Sequence, residues 1–124
     1  MPDTHEPPEA LTLLFKHTIP DLEMHGWEMT AVEVAYPPAG ESRPHRHPGL
    51  TVAYVIEGTI RSQVANEPER TYQRGEIFIE TPGEHHGVSR NASDTARARI
   101  LAVMFAPRGT APTVFDDQSD AAHW

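Results

Sequence analysis

Prolines and glycines interrupt this chain along almost its whole length, and this feature constrains the fold more than any other. The 124 residues include twelve prolines and eight glycines. A proline removes a backbone donor and breaks the interior of a helix, whereas a glycine favours turns. Such frequent interruption favours short strands joined by turns over long helices.

The segments between these interruptions have the patterns of β-strands. Residues 27–36 alternate imperfectly between apolar and polar side chains and end at Pro37-Pro38. Residues 51–56 are almost wholly apolar, as expected of a strand that is covered on both faces. We therefore predict seven or eight short strands, no helix and an all-β sandwich or barrel. Further segments with strand character include residues 11–15, 59–64, 76–80 and 100–105.

The length of the chain predicts one domain. Residues 1–10 are polar and rich in proline, which predicts a flexible N-terminal arm. The β-barrel is expected over residues 11–107. Residues 108–124 are rich in Ala, Thr and Asp, and we predict a poorly ordered C-terminal tail there.

Charge and composition exclude several classes of function. The net charge of -8 argues against a nucleic-acid partner, because phosphate binding needs clustered Lys and Arg. Without cysteine there is no disulfide framework and no thiolate metal site. No apolar run approaches the ~20 residues that span a bilayer, and the first residues lack the features of a signal peptide. The expectation is a cytoplasmic protein with no membrane partner.

Two pairs of histidines stand apart from the other four in the sequence. His45 and His47 are two residues apart, so on an extended chain both side chains point to the same face. That arrangement suits the first two ligands of a divalent metal ion. His85 and His86 follow the turn at Pro82-Gly83 and are adjacent, so only one of them should face a barrel interior.

The order of glycines and histidines around these pairs is distinctive. It resembles the two motifs of the cupin superfamily over residues 28–106, and the first segment is similar to its form in small bacterial cupins. The resemblance implies a single-domain cupin, a jelly-roll barrel built as a double-stranded β-helix. It also implies a metal ion held by His45, His47 and His86. The matching positions are Gly40, His45, His47 and Gly58 in the first motif, with Gly40 one residue nearer to His45 than in the family. In the second motif they are Gly75, Gly83 and His86, while Thr81 stands where the family has proline.

The chain departs from the family pattern at one ligand position. Thr51 stands where cupins carry a glutamate ligand, and threonine is a poor ligand for a divalent metal. The resemblance therefore implies a centre of three histidines with open positions for water or substrate, as in catalytic sites. Glu80 could restore a carboxylate as a ligand, could form a hydrogen bond with a histidine ligand or a bound water, or could be surface charge. The metal could be Fe, Mn, Ni, Co, Cu or Zn.

Other residues are candidates for substrate contacts or proton transfer. Tyr54, Arg61, Gln63 and Thr51 are predicted to bind substrate, because alternate side chains fill the inside of a small barrel. Tyr54 could instead be a core residue, and Arg61 could equally lie on the outer face. Glu80 and His85 are candidates for catalytic proton transfer, although His85 could be a plain loop histidine.

Our leading hypothesis is a metal-dependent enzyme, of the dioxygenase type, that acts on a small organic acid or dicarbonyl. One alternative is a lyase or isomerase in which the metal is only a Lewis acid. Others are a small-ligand-binding module without catalysis and a barrel with an empty site. The resemblance also implies a homodimer, with the apolar residues 11–15 as a candidate for strand exchange.

Overall fold

Two antiparallel sheets form the protein, and this confirms the prediction of an all-β jelly-roll barrel. The structure, a computed structural model, describes residues 9–116 and the backbone of residues 121–122. One sheet has the strand order β1-β8-β3-β6 and the other β10-β9-β2-β7-β4-β5. The strands are β1 (Trp27–Tyr36), β2 (His45–Arg46), β3 (Leu50–Glu57), β4 (Thr59–Val64), β5 (Arg70–Gln73), β6 (Ile77–Glu80), β7 (His85–Asn91), β8 (Ala98–Pro107), β9 (Thr113–Phe115) and β10 (Ala121–Ala122).

Strand β8 shows how the sequence pattern produces the barrel. Every second side chain, from Ala98 to Ala106, is buried, and those between them are half-buried or exposed. This period of two puts one face of the strand on the barrel interior. Strand β8 lies between β1 and β3, so its inward face packs in the centre of the four-stranded sheet. The core cluster consists of Tyr36, Ala53, Val55, Ile60, Phe78, Ala98 and Ile100.

Gly49 permits an unusually close approach of two strands. A Cβ atom at this position would lie 1.6 Å from the carbonyl oxygen of Phe105 on β8. No other residue type fits such a contact, because real side-chain carbon atoms cannot approach a carbonyl oxygen that closely. The glycine lets β3 start beside β8 at Leu50, three residues after His47.

Asn91 holds the turn between β7 and β8. Its Nδ2 donates to the carbonyl oxygens of Pro37 and Ala96, at 3.1 and 2.7 Å. Its Oδ1 accepts a hydrogen bond of 2.9 Å from the backbone N–H of Ser93. These three bonds satisfy a buried side chain, which is the arrangement that a folded interior requires.

The two ends of the described chain differ from the sequence predictions. Residues 11–15 were predicted to open a strand, but residues 10–24 form none. Leu11 is 88% exposed, so its apolar side chain gains nothing from this barrel. Residues 113–115 were assigned to a poorly ordered tail but form β9, because β2 offers them an antiparallel partner. The predicted arm, except for residues 9–10, and residues 117–120 and 123–124 of the tail lie outside the described residues.

Within the described part of the chain, no helix has the length and apolar character needed to cross a membrane.

Candidate metal centre

Four buried side chains from both sheets meet inside the barrel. His45 on β2 is the register partner of His86 on β7, which brings two imidazoles together across one ladder. His47 follows β2 directly and turns to the same interior. Glu80 ends β6 in the opposite sheet and is only 2% exposed. One ligand atom from each of these residues lies within 4.8 Å of the others.

Each histidine is oriented by a hydrogen bond on the ring nitrogen that faces away from the cluster. His45 Nδ1 donates to the carbonyl oxygen of Arg43 at 2.7 Å. His47 Nδ1 donates to the carbonyl oxygen of Pro112 at 2.9 Å, just before β9. His86 Nε2 shares a hydrogen bond of 2.7 Å with the Ser62 hydroxyl. These partners fix the ring orientations and leave the second ring nitrogen of each histidine toward the cluster.

The Glu80 carboxylate lies between two of the imidazoles. Its Oε2 is 3.3 Å from His47 Nε2, and its Oε1 is 2.6 Å from His86 Nδ1. The second pair of atoms is close but is not aligned for a hydrogen bond, and neither atom has another hydrogen-bond partner among the described residues. A divalent metal ion between them would satisfy both atoms. The donor set therefore fits such an ion.

Burial and mutual contacts set the protonation of the cluster. Burial lowers the pKa of His45 to about 4, so its imidazole is neutral at pH 7. Burial alone would raise the pKa of Glu80, but the neighbouring His47 and His86 lower it to about 2. Burial alone would lower the pKa of His47, but its hydrogen bond to Glu80 and the charge of Glu80 raise it. The cluster thus offers imidazole and an ionised carboxylate, which suit divalent transition metals.

Glu80 stands directly opposite Thr51, the residue at the family's glutamate position. The two residues are register partners across the β3–β6 ladder, so both side chains point to the same interior. Of the roles that the sequence left open for Glu80, the structure excludes surface charge and puts the carboxylate among the candidate ligands. Thr51 is buried there, and its Oγ1 has no hydrogen-bond partner within the described part of the protein.

A cavity of about 190 Å³ extends from the four candidate ligands into the barrel. Its walls are mostly apolar, and Thr51 lines it beside the cluster. In another part of the cavity wall, the Tyr36 hydroxyl forms hydrogen bonds with Ser42 and Ser89, at 2.7 and 3.0 Å. The apolar lining residues include Val32, Val34, Ala53, Phe78, Ile100, Ala102, Met104 and Phe115.

Four other predicted site residues lie outside the set that lines this cavity. Arg61 Nε donates to Glu69 at 2.8 Å on the surface, and Gln63 donates to the backbone oxygen of Glu67. His85 Nε2 is 2.7 Å from the carboxylate of Asp116. Their part in substrate binding or proton transfer stays a prediction. The neighbours of Arg61 and Gln63 on β4, Ile60 and Ser62, are the buried ones.

Tyr54, the fourth of these residues, lies on β3. Its neighbours Ala53 and Val55 are buried, while Tyr54 itself is half-buried. Because successive side chains of a strand alternate, Tyr54 points to the other face of the sheet. Its predicted substrate contact likewise stays a prediction.

Sequence reasoning missed the residues that complete the cavity. Tyr36, Ser42 and Ser89 lie on three separate segments and form its hydroxyl cluster. Phe115 comes from the segment assigned to the tail, and its ring is 5.9 Å from that of His45. The position of Tyr36 at the end of a long alternating strand was an available signal for an inward side chain. For Ser42, Ser89 and Phe115 the sequence offers no such signal, because their contacts in the cavity are with residues far away in the sequence.

Comparison with known proteins agrees with this architecture. The chain is 24% identical to an oxalate oxidase in complex with glycolate, covering 74% of this chain and 47% of that chain, with a TM-score of 0.58. It therefore spans about half the length of that oxidase. A conserved protein with a double-stranded β-helix domain from Klebsiella pneumoniae is also 24% identical, over 77% of this chain and 76% of that one, with a TM-score of 0.58.

A DMSP lyase from Ruegeria pomeroyi is 18% identical, covering 74% of this chain and 45% of that chain, with a TM-score of 0.63. At these identities the likeness concerns the fold. No curated protein sequence shows significant similarity to this chain. A family model, described as the cupin domain, matches residues 32–104, which is more than half of the chain. The protein is therefore a member of the cupin family.

Proposed function

We propose that this cupin is a metal-dependent enzyme that acts on a small organic acid or dicarbonyl, and that it is an oxygenase. The observation that carries the proposal is the set of four buried candidate ligands at the wall of a mostly apolar cavity. His45, His47, His86 and Glu80 would hold the metal. On an ion that takes six ligands, four protein donors would leave positions for a substrate and a second reactant.

The protein's own residues have separate tasks in this scheme. A bound metal supplies Lewis-acid activation of a coordinated oxygen and, when it is iron or manganese, electrons for dioxygen. Glu80 adds one negative charge to the donor set, so a divalent ion keeps one positive charge to attract an anionic end group. The apolar walls, with Met104 beside Thr51 and Phe115 beside His45, limit the access of water.

Oxygen uptake tests the reaction type. The protein loaded with iron(II) or manganese(II) is expected to consume dioxygen in the presence of one member of a panel of small organic acids and dicarbonyls. The His86→Ala variant is expected to consume none, because a buried ligand is lost. Product formation that continues at the same rate under strict anaerobiosis would contradict the oxygenase and support the Lewis-acid lyase or isomerase. Ligand binding without any turnover would support a binding module.

The proposal includes a homodimer formed through the N-terminal segment. Leu11, Leu13 and Leu14 are 88%, 77% and 60% exposed, which is unusual for three apolar side chains so close together. Strand β1 lies at the edge of its sheet, where a segment from a second chain could pair.

Light scattering tests the dimer directly. The wild-type protein is expected to have twice the mass of one chain, and the Leu13→Asp/Leu14→Asp variant to have the mass of one chain. Burying two carboxylates in an apolar contact would cost more than the contact gains. The Glu23→Gln variant, changed at an exposed residue of the same segment, serves as the control and should remain dimeric. A monomeric wild-type protein would contradict this part of the proposal.

A further inference from the structure

We infer that the cavity selects a compact molecule with one chelating oxygen end and an apolar tail, and that it discriminates against a second charged group. The inference rests on the proposed function, because the chelating end is assigned to the metal centre. It adds the substrate class, which the four candidate ligands alone do not specify. The evidence is the order in which inward side chains follow one another across the four-stranded sheet.

These inward side chains form rows that run across the strands. Thr51 is the register partner of Glu80 on one side and of Met104 on the other, and this row contains the candidate ligand. Two residues further along β3, Ala53 is the partner of Ala102 on β8. Rows two residues apart are separated by roughly 7 Å along the strands. A molecule bound at the metal centre through one end therefore extends its other end over the two alanines.

The alanine row creates the space in the barrel. Ala53 and Ala102 carry only methyl groups, whereas Val32, Phe78 and Ile100 form apolar walls around them. The cavity volume is about 190 Å³. For scale, an apolar cavity of about 150 Å³ is large enough for benzene, so this one suits roughly six to ten non-hydrogen atoms.

The described lining of the cavity provides no Lys or Arg side chain for a second charge on the ligand. Apart from the candidate ligands and Thr51, its polar lining residues are Tyr36, Ser42, Ser89 and Thr113. The Tyr36 hydroxyl already forms hydrogen bonds with both serines, and Thr113 Oγ1 lies 3.2 Å from His47 Nδ1. A carboxylate at the tail end of the ligand would be buried without a counter-ion, and such burial is strongly unfavourable. An apolar tail has no such cost and gains from the contact.

Thr51 supplies the polar contact at the chelating end. Its Oγ1 is buried, faces the cavity beside Glu80 and has no hydrogen-bond partner among the described residues. Buried hydroxyls almost always have a partner in a folded protein. A ligand oxygen bound at the metal centre can accept this hydrogen bond. The replacement of the family's glutamate by threonine thus turns a ligand position into a substrate contact.

Three 2-oxo acids with the same chelating end test the inference on the wild-type protein loaded with cobalt(II). The probes are pyruvate, 4-methyl-2-oxopentanoate and 2-oxoglutarate, and binding is followed by the change in cobalt absorption. The last two probes have nearly the same size but differ in their tails, which are apolar and anionic. We expect 4-methyl-2-oxopentanoate to bind at least about tenfold more tightly than 2-oxoglutarate. Equal or tighter binding of 2-oxoglutarate would overturn the inference.

The Ala102→Val variant tests where the tail lies. Two added methyl groups should fill part of the alanine row and weaken binding of 4-methyl-2-oxopentanoate about tenfold, with pyruvate almost unaffected. Cobalt content and urea unfolding check that the variant keeps its centre and its fold. A similar loss for both probes, or no loss for either, would contradict the assigned tail position. The outward-facing Leu101→Val change on the same strand is the control and should alter neither affinity.

Binding and turnover separate this inference from the proposed function. Selective binding of the apolar probe by a protein that catalyses nothing would refute the enzyme and leave the ligand class supported. Catalysis on a dianionic substrate would support the enzyme and refute the ligand class. Failure of all three probes to bind the cobalt-loaded protein would overturn the ligand class.

Discussion

Replacing Glu80 with glutamine is expected to lower the metal affinity of the protein by about 100-fold or more. The amide keeps the shape of the carboxylate but loses its charge, beside His47 and His86 at 3.3 and 2.6 Å. Because Glu80 is the only acidic residue in the described four-residue cluster, no other carboxylate can replace it there. Competition with a chromophoric chelator measures the affinity. The Glu23→Gln variant makes the same chemical change at an exposed site and should bind metal like the wild type.

An exchange variant distinguishes a direct ligand from a residue that only supports the fold. Thr51 and Glu80 are register partners, so Thr51→Glu/Glu80→Thr moves the carboxylate to the position used by other cupins. We expect this double variant to recover most of the affinity that Glu80→Gln loses. Wild-type affinity in Glu80→Gln would contradict the role of Glu80 as a ligand. If the exchange variant bound metal as weakly as Glu80→Gln, the carboxylate would contribute to metal binding only at position 80 on β6.

The Gly49→Ala substitution is expected to lower the free energy of unfolding by about 3 kcal/mol or more. The added Cβ would lie 1.6 Å from the carbonyl oxygen of Phe105, so β3 and β8 would have to separate. These strands are neighbours in the centre of the four-stranded sheet, and the disturbance would reach the cluster through His47, two residues away. Urea unfolding measures the change in the free energy.

Gly109 provides a matched control for this effect. It has a positive φ of 81°, and a Cβ there would meet nothing within 4 Å. Asparagine tolerates this backbone conformation, so Gly109→Asn should cost less than about 1 kcal/mol. If Gly49→Ala unfolded at the same urea concentration as Gly109→Asn, the close approach of β3 and β8 would be contradicted.

The periodic features of the sequence predicted an all-β sandwich or barrel, and the resemblance to the cupin motifs implied the jelly roll. The predicted strand at residues 27–36 has the bounds of β1, and the cupin jelly roll is confirmed. The strand prediction succeeds because the side-chain period of a strand and the effect of Pro and Gly are local properties. The segment at residues 11–15 failed because a strand also needs a partner, which the sequence pattern does not reveal.

The candidate site was predicted only where sequence spacing determines which face a side chain occupies. His45 and His47 lie together because of their spacing, whereas His86 was implied by the resemblance to the second cupin motif. The contact of Glu80 depends on the register of β6 against β3, which brings it opposite Thr51. Register is a tertiary property, so the sequence left several roles open for this glutamate. The contribution of β9 was missed for the same reason, because its partner β2 is distant in the sequence.

Metal content tests the central claim of this account most directly. The wild-type protein, purified without an affinity tag and then reconstituted, is compared with the His45→Ala/His86→Ala variant by elemental analysis. We expect about one equivalent of a divalent transition metal in the wild type and none retained by the variant. Absence of metal from the reconstituted wild type, or equal metal in both proteins, would contradict this claim.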